Sequence, residues 1–421
     1  MNPQVLFQNR KPDRIVSFDE YRQSGGYEAL SRILKDESRS QVVQQVSEAN
    51  LLGRGGAGFP AGKKWSLVPE DAPFPRYIVA NSDEMEPGTF KDRVLIHTDP
   101  HTVIEGIIIT GYAASAQKAF VFVRPSYESG AAILEREVHN ARQAGFLGKN
   151  ILGSDFSFEI VVHRSAGRYI CGEGPAIVNA IMGKSPNPIK PPPYPTVKGV
   201  WEQPTVVNNI ETLAFVPHII RHGADWFKSL AATENGAGTK LYCVSGKVKK
   251  PGCIELPIGT RLSEIIEQHC GGMLEGSEFK ACLPGGASTR YLTPEHYEIA
   301  MDFDTLKEIG NRLGTAAIMV FDQKTCLVGV TLNLIRFFTR ESCGWCTPCR
   351  EGLPQIQDLL WRIENGEGRE EYVPMLQTMS KHLWNAYCAF APGASSPVES
   401  LITFFGDEVR EHISRRKCPF G

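Results

Sequence analysis

The 421-residue chain is 42% hydrophobic and 22% charged, enough apolar material to bury sizeable cores in about two to four domains. Its 45 basic and 47 acidic residues leave a net charge of -2, which excludes the positive surplus of a nucleic-acid or anionic-membrane binder. The start, Met1-Asn-Pro-Gln-Val-Leu-Phe7, lacks a basic segment followed by an apolar core, so no secretory signal is read and a cytosolic location is expected.

Residues 1-75 read as an N-terminal helical arm and a glycine-rich loop. Ser17-Phe-Asp-Glu20 and Gly26-Tyr-Glu-Ala-Leu30 each open a helical apolar pattern. The loop, Gly53-Arg54-Gly55-Gly56-Ala57-Gly58-Phe59-Pro-Ala-Gly-Lys63-Lys64-Trp65, gathers small residues around one arginine and two lysines, so backbone N–H groups can approach an anion closely. Gly53, Gly55 and Gly58 spell G-x-G-x-x-G, yet the preceding residues 46-52 read as helix where a dinucleotide fingerprint needs a strand. A Walker loop would want glycine in place of Ala57 and Ser or Thr in place of Lys64. A phosphate- or flavin-binding loop is favoured over a plain flexible turn.

Residues 76-235 alternate strands and helices, the pattern of a mostly parallel sheet. Strands are read at 76-80, 118-123 and 158-163, and helices at 102-116 and 126-144. The run from Thr102 to Ala116 is broken by Glu105 and two glycines and is shorter than the ~20 residues of a membrane span. Asn81, Asp83, Glu84 and Glu86 follow the first strand, where open α/β sheets bind ligands, and the carboxylates are read as acceptors for sugar and amide groups. A solvated turn is the alternative. His163 is read as a core or edge histidine. Tyr169, Gly172 and Glu173 lead into a helix with Pro175 in its first turn, a candidate anion-facing N-terminus. The proline-rich run 185-195 must cross in a stiff extended form. Asn208 and Asn209 then offer paired donors and acceptors before another helix.

Residues 236-325 change to short strands and turns, read as a small β-grasp-like domain. Residues 326-421 are mostly helical and hold Glu341-Ser-Cys343-Gly-Trp-Cys346-Thr-Pro-Cys349-Arg-Glu-Gly352, with Cys388 further on. Three thiols on one turn and a fourth from a distant segment can close a four-sulfur site for zinc or an iron-sulfur cluster. Zinc favours two separated C-x-x-C pairs, so a C-x-x-C-x-x-C run with one remote cysteine points to [4Fe-4S]. Without a secretory signal, the odd total of eleven cysteines argues against a disulfide framework. Cys171, Cys243, Cys253, Cys270, Cys282, Cys326 and Cys418 show no ligand spacing and read as small buried hydrophobes or incidental surface thiols.

The segment 341-352 resembles the cluster motif of the flavoprotein subunit of respiratory NADH:quinone oxidoreductase, complex I. The same family supplies diaphorase subunits to NAD-linked hydrogenases and formate dehydrogenases. The likeness continues through the glycine loop, Met85-Glu-Pro-Gly-Thr89, Arg168-Tyr-Ile-Cys-Gly-Glu173, the segment 204-212 and Val244-Ser-Gly-Lys-Val248, and so covers nearly the whole chain. It implies an α/β fold: a Rossmann-like FMN/NADH domain, a β-grasp (SLBB-like) domain, and a C-terminal helical bundle carrying a [4Fe-4S] cluster on Cys343, Cys346, Cys349 and Cys388. By the same resemblance FMN is held by Gly53, Arg54, Gly55, Gly56, Lys64, Asn81, Asp83, Glu84, Gly172, Glu173, Val207, Asn208, Asn209 and Thr212. Glu86 and Tyr169 would face the nicotinamide, and Phe59 and Tyr194 would sandwich the adenine. Lys64, as a cation at the pyrimidine end of the flavin, and Glu86 are the expected catalytic groups.

The implied activity takes hydride from NADH onto FMN and passes electrons one at a time to the cluster, ultimately toward quinone. The implied partners are the [2Fe-2S] subunit (E type) and the iron-sulfur subunit (G type), in the peripheral arm on the cytoplasmic face of the membrane. The alternatives are a diaphorase subunit of a hydrogenase or formate dehydrogenase, and a non-catalytic iron-sulfur electron-transfer protein. Departures from the family pattern cluster at the adenosine end: Gly174 replaces a glutamate, Pro175 a threonine, Met182 an acidic residue, Pro191 a lysine and Leu67 an aromatic. A weaker or less selective dinucleotide site is therefore expected.

Overall fold

The computed structural model describes residues 3-11 and 13-420; the expected ends of the first and last segments, residues 1, 2 and 421, lie with residue 12 outside them. Three short helices open the chain, α1 (Phe18–Gln23), α2 (Glu28–Asp36) and α3 (Arg39–Glu48). Ser17 and Ser38 start α1 and α3 through reciprocal capping boxes with Glu20 and Gln41. Then come α4 (Ala61–Ser66), β1 (Tyr77–Ser82), α5 (Lys91–Ile96), α6 (Pro100–Ala113), β2 (Lys118–Val123) and α7 (Glu128–Gln143). The unit continues with β3 (Glu159–Arg164), α8 (Gly174–Ile181), β4 (Thr205–Asn209) and α9 (Ile210–His222).

The four strands are all parallel, in the order β3-β2-β1-β4. The period-2 alternation of each strand divides its side chains between two cores. Ile78, Ala80, Ala119 and Val121 pack toward α6 and α9, while Val79, Phe120 and Phe122 meet Ile177 and Val178 of α8 on the other face. Helix α6 is buried all round, which explains an apolar pattern without a polar face. Glu105, inside it, accepts hydrogen bonds from Tyr21 Oη (2.5 Å), Tyr27 N (2.8 Å) and Leu30 N (3.1 Å), so a buried carboxylate ties α1 and α2 to the sheet domain. Among the described residues, no helix is long and apolar enough to cross a membrane.

After α10 (Ala224–Ser229) the second unit holds β5 (Thr239–Gly246), β6 (Gly252–Pro257), a short α11 (Leu262–Glu264), β7 (Phe279–Leu283), α12 (Phe303–Glu308) and β8 (Ala317–Asp322). Its sheet runs β6-β5-β8-β7, with β5 and β8 parallel and the outer pairs antiparallel. The N-terminal arm docks on it: Val5, Leu6 and Phe7 donate their N–H groups to the Glu255 carboxylate on β6. The last unit is four helices, α13 (Leu327–Glu341), α14 (Thr347–Glu364), α15 (Tyr372–Leu383) and α16 (Phe390–Arg415), around one apolar core.

Strands β1 to β3 match their sequence reading closely, whereas β4 escaped it. Pro204 and the paired asparagines disguise a five-residue strand that takes its place from register, with Val79 opposite Val207 and Asn81 opposite Asn209. That strand creates a topological switch point. The chain leaves β1 toward β2 and β3 and returns on its other side as β4, which opens a crevice at the C-terminal ends of β1 and β4.

The helix crossing beneath the sheet depends on Gly106, where an added Cβ would stand 2.0 Å from the Leu213 carbonyl oxygen of α9. Gly106→Ala is predicted to destabilise the protein by about 1–3 kcal/mol through forced separation of α6 and α9, read as a lowered thermal unfolding midpoint. An unchanged midpoint would contradict this packing.

Candidate functional site

The glycine loop is a small hairpin. Leu52 and Pro60 bridge at its base, Gly53 N–H donates to the Phe59 carbonyl (3.0 Å), and Gly56 at its tip bridges to Gly314 of the second unit. Gly58 has a positive φ (66°), and a Cβ there would stand 2.9 Å from the Phe303 ring. The loop therefore forms one wall of a cavity of about 800 Å³ at the switch point. Asn81 to Glu86 form its floor, Gly285, Ser288 and Arg312 come from the second unit, and Ala389, Phe390 and Gly393 come from the start of α16.

The three carboxylates after β1 have different duties. Glu84 accepts the N–H groups of Asp92 (2.9 Å) and Arg93 (3.2 Å) and the Tyr127 hydroxyl (2.9 Å), so it satisfies the first turn of α5. Burial, reinforced by Asp92, pushes its carboxyl up to about 7. Glu86 is bound by the Tyr169 hydroxyl and by Ser288 N–H (2.8 Å), and burial raises its pKa. Asp83 accepts from Ser165 Oγ (2.7 Å) through Oδ1, while its buried Oδ2 has no partner within the protein. Burial lifts Asp83 to about 6. An orphaned acceptor on a cavity floor fits a ligand that brings its own donor.

Of the predicted residues, the structure brings Gly55, Gly56, Asn81, Asp83, Glu84, Glu86, Tyr169, Gly172, Glu173 and Asn209 to the cavity wall. Gly53, Arg54, Lys64, Val207, Asn208 and Thr212 lie behind the wall and hold it. Arg54 N–H donates to Thr212 Oγ1 (2.8 Å), and its guanidinium turns into the core toward the Ala237 carbonyl (2.7 Å). The arginine read as facing an anion is fully buried and points away. Lys64 Nζ donates to the Val207 carbonyl (2.8 Å), Trp65 Nε1 donates to Asn208 Oδ1 (3.0 Å), and burial brings Lys64 down to about 8. The Lys64 charge thus joins α4 to β4 and does not line the cavity. Phe59 and Tyr194 are 40% and 58% exposed and also stand outside it. The N-terminus of α8, read as open to an anion, is capped by the chain itself: Ala176 N–H donates to Glu173 Oε2 (2.8 Å).

Sequence reasoning missed the charged floor beneath these residues. Lys91 Nζ pairs with Asp92 (2.7 Å) and Glu211 (3.1 Å), Lys240 pairs with Glu211 (2.7 Å), and Asn209 bonds both Lys91 and Asp92. Burial pulls Lys91 down, but Asp92, Glu211 and Glu84 together hold it above its ordinary value. An isolated Lys-Asp pair in sequence carries no sign of such burial. It is legible only as a charge pair beside the Glu84 segment.

Cys343, Cys346, Cys349 and Cys388 line a second, smaller cavity with Trp345, Tyr387 and Phe390. Cys349 lies in the first turn of α14, close to Ser342 Oγ (3.0 Å), and Cys388 lies just ahead of α16. Burial pushes the Cys349 thiol up to about 12 and Cys388 up to about 11, so negative sulfurs here call for cationic partners. Among the described residues, the one set of potential ligands gathered within 4.8 Å of one another lies elsewhere in the bundle. No three of the four thiols Cys343, Cys346, Cys349 and Cys388 meet that spacing. Ile170 and Phe390 line both cavities, so one layer of side chains divides them.

Three family models match in order: the Nuo51 FMN-binding domain over residues 46-218, the SLBB domain over 241-291, and the NADH-ubiquinone oxidoreductase-F iron-sulfur binding region over 329-412. The chain is 46% identical over 408 residues to the F subunit of NADH-quinone oxidoreductase from Escherichia coli (strain K12), covering 96% of this chain and 91% of that one. It is 41% identical over 409 residues to the F subunit of the Streptomyces coelicolor enzyme, covering 97% and 90%.

The chain belongs to the NADH-quinone oxidoreductase F-subunit family.

A solved structure of NAD+-reducing [NiFe]-hydrogenase in the H2-reduced state aligns with a TM-score of 0.83 at 32% identity, over 94% of this chain and 65% of the hydrogenase chain. The F-subunit family brings FMN and a [4Fe-4S] cluster as its cofactors, and both donor sets are present: an orphaned acceptor in a glycine-walled cavity, and four thiols lining one cavity. Asp83 tests the first. Burial lifts its pKa from 3.8 to about 6, so the folded carboxylate costs stability above about pH 6 and nothing below about pH 4. Asp83→Asn is predicted to stabilise the FMN-free protein by about 1–3 kcal/mol at pH 8, with the gap closing toward pH 4 in denaturant titrations. The same variant should retain less FMN.

Proposed function

We propose that the large cavity holds FMN against the glycine hairpin with room for NADH above it, and that the four-thiol cavity holds the [4Fe-4S] cluster. The protein is an NADH dehydrogenase of the F-subunit family, working within a multi-subunit complex. One observation carries the site reading: the two cavities share the wall of Ile170 and Phe390. That wall would place a one-electron acceptor in the four-thiol cavity one side-chain layer from the cavity where a dinucleotide would be oxidised. When bound, FMN supplies hydride acceptance and single-electron release, and the cluster supplies one-electron acceptance.

The chain's own residues position and desolvate. Asp83 Oδ2 is the acceptor we assign to a flavin donor, and Gly55, Gly56 and Gly172 let the flavin approach backbone. A Cβ at Gly172 would meet nothing within 4 Å, leaving open space for a ligand. Glu86, fixed by Tyr169 and Ser288, is assigned to the nicotinamide side as an acceptor for the carboxamide N–H. Lys64, Val207, Asn208 and Thr212 are assigned to holding the hairpin on β4. Phe59 and Tyr194, exposed aromatic rings, are assigned to the adenine. Specific partners of E type, with a [2Fe-2S] cluster, and of G type, with further iron-sulfur centres, and a position on the cytoplasmic face of the membrane complete the proposal. The hydrogenase likeness supports a diaphorase subunit as the second reading, at lower identity than the respiratory relatives.

An absorption spectrum before and after anaerobic NADH addition tests the reading. Bleaching of both flavin and iron-sulfur bands is expected; a flavin that bleaches while the cluster stays oxidised would refute passage across the shared wall. Glu86→Gln is predicted to lower kcat/KM for NADH:ferricyanide turnover about 10- to 100-fold, the loss of a charged hydrogen-bond acceptor, at unchanged FMN content. Gly174 lines the cavity, and a Cβ there would meet only Pro195 at 3.9 Å, so a glutamate has room. Gly174→Glu is expected to raise the NADH over NADPH preference through acceptor contact with ribose hydroxyls and repulsion of a 2′-phosphate. Unchanged selectivity would count against this geometry.

A further inference from the structure

Beyond the two cofactor cavities, four side chains from separate parts of the bundle converge at its far end. They are Cys326 at the N-cap of α13, Glu364 at the end of α14, His412 in the last turn of α16 and Cys418 in the tail that follows. Their ligand atoms all lie within 4.8 Å of one another. Cys326 Sγ stands 3.3 Å from both Glu364 Oε2 and His412 Nε2, and those two atoms are 3.3 Å apart. A tetrahedral zinc ion with bonds of about 2.0–2.3 Å sets its ligand atoms about 3.3–3.8 Å apart. These side chains are therefore arranged as the corners of one small polyhedron.

The surroundings are those of a ligand set. His412 is fully buried, and its Nδ1 faces the Glu408 backbone carbonyl at 2.8 Å, so the proton belongs on Nδ1 and Nε2 keeps its lone pair toward the other three groups. Gly329 N–H donates to Cys326 Sγ at 3.2 Å, the bond that steadies a thiolate. A Cβ at position 329 would stand 3.2 Å from Glu364 Oε1, so glycine there leaves the carboxylate its room. Glu364 is partly exposed and gives an ion a path inward.

We propose that Cys326, Glu364, His412 and Cys418 form a binding site for one tetrahedral zinc ion, distinct from the iron-sulfur loop. Two thiolates, one imidazole and one carboxylate match zinc in type and number, whereas magnesium and calcium want oxygen alone. Binding exchanges the two thiol protons for the ion and leaves no open position, so the site is structural: it fastens the C-terminal tail to the starts and ends of three helices. Nothing in the spacing advertises it, because the ligands are scattered over four elements.

Metal analysis of the full-length protein, carrying FMN and cluster, decides the matter. About one zinc per chain is expected in addition to the cluster iron, surviving passage through a mild chelator. Cys418→Ala should lose that zinc while keeping its iron and FMN, and His412→Ala should do the same. Cobalt substitution should give the thiolate charge-transfer and intense d–d bands of a tetrahedral site, absent in Cys418→Ala. Should His412→Ala not fold, Cys418→Ala, beyond the last helix, still reads the site. Zinc well below one per chain, zinc undiminished in Cys418→Ala, or a Cys326–Cys418 disulfide in the isolated protein would overturn the proposal.

Discussion

Two lysines and two carboxylates, all removed from water, sit under the ligand cavity: Lys91, Asp92, Glu211 and Lys240. Taking such charges out of water is costly, and the network is tolerable only because the signs balance and Asn209 and the Leu241 N–H fill the remaining hydrogen-bonding positions. Leaving one of these charges without its partner typically costs about 3–5 kcal/mol. Because Lys91 starts α5, Glu211 starts α9 and Lys240 lies on β5, the network fixes the first sheet against the second. Everything above it, from the Asp83 acceptor to the hairpin resting on Asn209, takes its position from that floor.

The cavity belongs to no single unit. The glycine hairpin reaches Gly314 of the β-grasp unit through a backbone bridge, Glu86 is held by Ser288 of the same unit, and α16 supplies Phe390 and Gly393. A Rossmann-like sheet alone would leave a shallow crevice at its switch point. The later units wall it in with surfaces that lie far apart in the sequence.

Much of this was legible in the residues. Parallel alternation, the four-thiol motif, the glycine-rich loop and the acceptor-rich end of β1 follow from local patterns whose chemistry is short-ranged. The orientation of charge was not. Arg54 and Lys64 read as cations beside an anion, yet one turns inward under Phe215 and the other commits its ammonium to the Val207 carbonyl. Composition reports which charges are present near a loop and says nothing of which way they face. Lys91 and Glu211 escaped for the related reason that a buried ion pair depends on segments brought together only by folding. Strand β4 escaped because its place comes from register with β1 and not from its own propensity.

The partition formed by Ile170 and Phe390 has a mechanical consequence. A wall one side chain thick cannot be moved on one face without moving on the other, so the large cavity and the four-cysteine cavity share their tolerances. Phe390 belongs to a ring cluster with Tyr169 and Phe338, and Tyr169 in turn grips Glu86. Damage to the cysteine loop would thus travel through these edge-to-face rings to Glu86, and the two chambers would fail together.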